Sequence, residues 1–350
     1  MYISKSSKGR ENNLDIIRFF AAILVIICHS FPLSYGNTTS DYLARYTDNR
    51  LSFGGLAVGI FFVFGGFLIS KSMENKKNAA TFFKARCKRI FPSLIFVVLV
   101  IVFVIGPIVT DLTIREYFSS METYKYLGNI FLIPIHNLPG VFEKNIYASV
   151  VNGALWTLPV EFMCYIMIYI AYKIGIFEKK KFAFTIPFAI VIIILLIFIR
   201  DNFIISVVRP VILYYIGLGM YVFRDKIKLT KKCFWTSVFC FILLIGLKLD
   251  IIAMISVFPY IMMYLAFGTK KKFINFSKNG DISYGMYLWG WPVAQIVCMI
   301  FGKKMEWYVN SIIVITLSIV FGYITYVIVE RKILNIGGKD GKRKDINYRS

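Results

Sequence analysis

Apolar runs of 17 or more residues recur from one end of this 350-residue chain to the other. A run of that length covers a hydrocarbon core of about 30 Å at a helical rise of 1.5 Å per residue. The expected fold is therefore all-α, a polytopic membrane helix bundle of about ten transmembrane helices. Composition agrees, with 58% hydrophobic and only 17% charged residues, against roughly 45–50% and about 25% in soluble domains. The spans fall at 13–33, 52–72, 90–110, 150–172, 183–199, 203–222, 233–249, 251–267, 282–301 and 308–329. Short polar breaks at Arg200-Asp201-Asn202 and Lys248-Leu249-Asp250 predict tight helical hairpins. The stretch 127–135, inside the polar gap 111–149, is too short to span and reads as interfacial or re-entrant.

The net charge of +22 raises the question of a nucleic-acid partner, and its distribution answers it. With the N-terminus placed in the cytoplasm, Lys and Arg outside the spans favour the cytoplasmic side by about three to one. That is the positive-inside pattern. It puts both termini in the cytoplasm, accounts for the basicity, and leaves membrane lipid rather than nucleic acid as the expected partner. Asp15 and Arg18 interrupt the first apolar run and no small-residue cleavage site follows, so it reads as a retained span. None of the six cysteines sits in a C-x-x-C pair, and they read as packing residues.

Polar side chains inside spans are costly, so each is a functional candidate by default. Arg18 and His29 lie eleven residues apart in span 1. At 100° per residue they share a helix face, separated by about 16 Å along the axis. Asp15, one turn before Arg18, is placed to pair with it. Taken alone, Arg18 would equally serve as a snorkelling residue at the interface. Glu161 in span 4, beside Pro159, needs a partner, and Arg or His of span 1 is the natural one. Arg86 and Arg89, one turn apart at the start of span 3, face one polyanion or are ordinary cytoplasmic charge. Tyr284, Tyr287, Trp289 and Trp291 run several turns deep in span 9, as a cavity wall or as core. His136 has no acidic or Cys neighbour at ligand spacing and reads as a surface or structural histidine, and no metal site is expected.

These segments together resemble the acyltransferase-3 family of bacterial membrane O-acyltransferases. The matching pieces, in the family's order, are Leu14-Asp15-Ile16-Ile17-Arg18 with His29, VGIFFVFGGFLIS (58–70), KARCKRIFP (84–92), ALWTLPVEF (154–162), YYIGLGMYVF (214–223) and ISYGMYLWGWPV (282–293). Gly65 stands where many members have Ser, and Gly290 where many have His. The resemblance implies transfer of an acetyl or other acyl group from cytoplasmic acetyl-CoA to a hydroxyl of a cell-surface or exported polysaccharide. It implies a membrane acyltransferase domain over 1–335, with 336–350 a basic, flexible cytoplasmic tail, in a bacterial cytoplasmic membrane. The appended esterase-like domain of some members has no counterpart before Ser350, so transfer is expected to finish within the membrane domain or on a separate partner.

The site that follows from the resemblance has His29 as general base or acyl carrier and Glu161 orienting it. Arg18, Arg86, Lys88 and Arg89 would hold the acyl-CoA phosphates, and Asp15, Trp156, Tyr284, Tyr287 and Trp289 would line the cavity. No tightly bound cofactor is expected, acetyl-CoA being a substrate. A homodimer or association with polysaccharide-synthesis machinery is the expected assembly. Two other readings remain at this stage: a glycan or anion transporter, against which no inverted repeat is visible, and an acyltransferase with a small or lipid-linked acceptor.

Overall fold

The computed structural model describes residues 1–7, 12–36, 38–199, 201–269, 273, 276–277, 280–302 and 305–333. The expected basic tail 336–350 lies outside the described residues, as does Arg200 of the first hairpin. Among them the chain is helical, with only isolated bridges such as Tyr2 with Lys228 in place of strands. The main helices are α1 (Leu14–Tyr35), α2 (Phe53–Lys76) and α3 (Ala79–Val109). They continue as α4 (Thr157–Lys173), α5 (Lys179–Phe198), α6 (Asn202–Val222) and α7 (Lys231–Gly246). The series ends with α8 (Asp250–Ser256), α9 (Phe258–Gly268), α10 (Ser283–Phe301) and α11 (Trp307–Ile333).

Six of these, α1, α2, α3, α6, α10 and α11, are long and apolar enough to cross a membrane. The pair α8 and α9, bent by 43° at Val257, makes a seventh if it counts as one span. Two expected boundaries are corrected. The third span begins at Ala79, capped by Asn78, whose side chain accepts from the amides of Ala80 and Thr81. The fourth loses its first turns, because residues 150–156 are irregular and the helix starts only at Thr157. The 127–135 stretch forms one tight turn, Tyr126–Phe131, closed by Leu132 at φ 62°.

The bundle has two ends. One, the basic end, gathers the starts of α1, α3 and α10 with the finish of α11. The N-terminal residues dock there, Ile3 N–H on Ile227 O (3.1 Å) and Asn13 N–H on Ala266 O (3.1 Å). The other, the loop end, carries 38–52 and 111–156, where Tyr46 Oη donates to Gly246 O (3.1 Å).

Glycines allow the closest crossings, since small residues let helix backbones approach in a membrane. A Cβ on Gly66 of α2 would lie 2.0 Å from the Tyr214 carbonyl of α6, and one on Gly217 would lie 2.3 Å from Val63 O. The neighbouring Gly65 makes room for the Tyr214 ring, 2.8 Å from where its Cβ would be. Gly290 of α10 has the same purpose toward α1, its Cβ position being 3.0 Å from Ile26 Cγ1. The two departures from the family pattern thus sit at helix contacts.

Candidate active site

At the loop end, α1 presents His29 to a pocket of about 250 Å³. Cys28, Asp41, Asn49, Ser52, Tyr147 and Trp291 contribute to its lining. The Trp291 ring meets the imidazole edge-on, with centroids 4.7 Å apart and planes at 65°. No hydrogen bond reaches either ring nitrogen among the described residues.

The far wall of the pocket is backbone that α10 holds in place. Gln295, fully buried, donates from Nε2 to Tyr147 O (2.8 Å) and Val150 O (2.7 Å), and its Oε1 accepts from Asn145 Nδ2 (2.7 Å). Trp291 Nε1 donates to Val150 O (3.0 Å), and Asn152 Nδ2 to Leu288 O (3.0 Å). Tyr287 Oη reaches the Ala154 carbonyl and the Thr157 hydroxyl, both at 2.5 Å. These bonds satisfy irregular backbone that could not persist against lipid. His136 Nδ1 lies 3.2 Å from Asn152 O, consistent with a structural histidine. Asp41 caps the short helix Tyr42–Tyr46 through Ala44 N–H (3.0 Å) and ties it to α2 through Phe53 N–H (3.0 Å).

At the basic end, four charged groups from four elements interlock. Asp281, just before α10, accepts from Arg89 Nη2 (2.8 Å) and pairs with Arg18 Nη1 (3.6 Å). Its other oxygen accepts from the amide (3.1 Å) and hydroxyl (2.6 Å) of Ser283, the first residue of α10. The second guanidinium nitrogen of Arg89 meets Glu330 (3.2 Å), and Ser93 Oγ donates to Glu330 (2.9 Å). A widened π-type turn at Tyr326–Glu330 supplies that carboxylate. Tyr284 lies under the Arg89 guanidinium at 5.7 Å and donates to Ile90 O (3.1 Å).

Arg86 differs from its neighbour. It is buried, 7% exposed, and its Nε and Nη2 have no hydrogen-bond partner among the described residues. Its electrostatic neighbours are Tyr165, Tyr214, Arg89 and Glu161. An unsatisfied guanidinium in such a place is costly unless an anion completes it.

The expected partnerships are rearranged. Glu161 accepts a short hydrogen bond from Tyr165, one turn along α4, and lies with Arg86, not with His29. No carboxylate contacts the imidazole among the described residues, so the orienting role expected of Glu161 has no geometric support. Asp15 takes a short hydrogen bond from Ser277, while the ion pair of Arg18 is with Asp281. Trp289 turns away from the His29 face: its Nε1 donates to Thr325 Oγ1 (2.9 Å) and its ring packs on Phe321 at 5.1 Å. Trp156 is half-buried against the core at the start of α4, and Lys88 is half-exposed on α3.

Asp281, Glu330, Gln295 and Arg209 were missed. The last three are polar residues in or at the edge of apolar runs, so the criterion that selected Arg18 and Glu161 would have found them. Arg209, inside the expected span 203–222, is 4% exposed in α6 and donates to Arg50 O (2.5 Å).

Comparison with known proteins bears on this geometry. A family model described as an acyltransferase domain matches residues 11–331. A protein of Shigella phage Sf6 named O-acetyl transferase is 27% identical over 93% of this chain and 96% of its own length. Nodulation protein 10 of Rhizobium leguminosarum bv. viciae is 30% identical over 47% of this chain and 44% of its own. No solved structure matches.

Proposed function

This chain belongs to the acyltransferase domain family, and from that premise we propose that it moves an acetyl group from cytoplasmic acetyl-CoA to a hydroxyl of a cell-surface or exported polysaccharide. The observation that carries the proposal is the division of one helix between two chemistries. Arg18 of α1 stands at the basic end, where Arg86 of α3 has two buried nitrogens without a hydrogen bond among the described residues, and His29 of the same helix faces the loop-end pocket with no hydrogen bond to its ring. In this reading the basic end is cytoplasmic, both termini lie there, and the helices make about ten crossings of the bacterial cytoplasmic membrane.

Acetyl-CoA is a polyanion on a thin arm. Its phosphates bind Arg86 and Arg18 through charge-assisted hydrogen bonds. Arg89, with two nitrogens already in ion pairs with Asp281 and Glu330, ties α3 to α10 and α11 instead. The arm lies along the Arg18–His29 face and brings the thioester within reach of the pocket. The acceptor enters from the loop end among Asn49, Ser52, Tyr147 and Trp291, a mixture of hydrogen-bonding and aromatic groups suited to a sugar.

His29 takes the proton of the acceptor hydroxyl as its oxygen attacks the thioester carbonyl. The new C–O bond forms, the C–S bond breaks, and the imidazolium returns the proton to the departing CoA thiolate. Surrounding apolar helices keep bulk water from the thioester. A relative named O-acetyl transferase that aligns over almost its whole length supports the acetyl group and the oxygen acceptor.

His29→Ala is the test. Cells making this variant at normal levels in the membrane should lose incorporation of labelled acetyl groups into surface glycan. Wild-type levels of incorporation would refute the role of His29. Label trapped on the wild-type protein at His29 without acceptor would replace the general base by a covalent relay.

A further inference from the structure

We infer that Asp281 is a positioning residue for the acyl donor, acting through Arg18. The inference rests on the reading that the basic end takes acetyl-CoA. Asp281 is 6% exposed and is bound on both oxygens, one by the Ser283 amide and hydroxyl and the other by two guanidinium groups. The carboxylate is therefore fixed to the α10 backbone, and Arg18 and Arg89 are located relative to it.

The two arginines differ in what that does to them. Arg89 has one nitrogen on Asp281 at 2.8 Å and another on Glu330 at 3.2 Å, which leaves it a tie between helices. Arg18 makes a longer contact, 3.6 Å through Nη1 alone, and its side chain is 29% exposed. It also stands over the Phe61 ring at 6.0 Å. Arg18 is thus held in direction while its remaining donors stay open.

Without the carboxylate, a long basic side chain near a helix end swings toward the interfacial water. Arg18 would then leave the face it shares with His29. Recognition of a phosphate by a guanidinium depends on the direction of its fork, so this loss of placement outweighs the gain in net positive charge. Asp281→Asn is accordingly expected to weaken donor binding even though it makes the site more cationic.

The experiment uses the full chain purified in detergent and equilibrium dialysis against two labelled probes, acetyl-CoA and acetyl-pantetheine, the second lacking the phosphates. Asp281→Asn and Arg18→Gln should each raise the Kd for acetyl-CoA roughly tenfold, and leave that for acetyl-pantetheine within about twofold. The double variant should be no weaker than Arg18→Gln alone, and Asp281→Glu should recover most of the affinity. Glu330→Gln, which weakens the Arg89 and Ser93 contacts of α11 and leaves Asp281 in place, should lower the melting temperature without changing either Kd by more than about twofold. Equal losses for both probes would overturn the inference, because they mark a general structural defect. Losses that multiply in the double variant would overturn it too, showing that Asp281 does not work through Arg18. Wild-type protein that binds the two probes equally would overturn the donor reading itself, and the inference with it.

Discussion

Gln295→Leu should open the wall of the His29 pocket without touching the imidazole. The substitution roughly keeps volume and removes three hydrogen bonds, to Tyr147 O (2.8 Å), Val150 O (2.7 Å) and from Asn145 Nδ2 (2.7 Å). Two of the abandoned groups keep a second partner: Val150 O retains Trp291 Nε1, and Asn145 Nδ2 retains the backbone carbonyl of residue 295. Those two bonds cost about 1 kcal/mol each, while the Tyr147 carbonyl loses its one partner among the described residues and costs about 1–2 kcal/mol more. The total of about 3–4 kcal/mol corresponds to a rise of a few hundredfold in the opened population of this segment. Hydrogen exchange read by mass spectrometry on 145–151 measures it directly. The Val151 amide, which donates to His136 O at 2.7 Å, is the reporter. Acetyl transfer should fall in parallel as Tyr147 leaves the pocket. Unchanged exchange across 145–151 would refute the assignment of Gln295 as the holder of this wall.

Gly290→His restores the residue common in the resembled family, yet it should destabilise this protein by about 1–3 kcal/mol, because a Cβ there already meets Ile26 Cγ1 at 3.0 Å. Ile26→Ala in the same chain should recover part of the melting temperature, and a melting curve of Gly290→His unchanged from wild type would refute the contact. Outside the spans, burial pushes the Tyr117 phenol up to about 12 from its ordinary 10.0. The raised value means that its contribution is fully present below pH 10 and is lost as pH rises through 12. Ultraviolet titration of phenolate absorbance should show a late-ionising group that is absent in Tyr117→Phe.

The length of the apolar runs was sufficient to predict an all-helical chain with several helices long enough to cross a membrane, because that depends on local length and polarity; six such helices, or seven with the bent pair, are seen among the described residues where the runs suggested about ten. The shared face of Arg18 and His29 followed from helical period alone, and the glycine-bearing pieces 58–70 and 214–223 were visible as segments. Where the third and fourth spans begin was not visible. Local hydropathy cannot register a cap at Asn78, nor the hydrogen bonds that let 150–156 stay irregular beside α10. The pairing of charges was decided by tertiary structure only. Sequence proximity favoured Asp15 for Arg18, whereas the fold brings Asp281 to it across 263 positions of chain. An arginine takes the carboxylate that packing places within its reach, and packing is a property of all the helices together. For the same reason Glu161 went to Tyr165 near Arg86, and His29 was left against Trp291 with no hydrogen bond to its ring among the described residues.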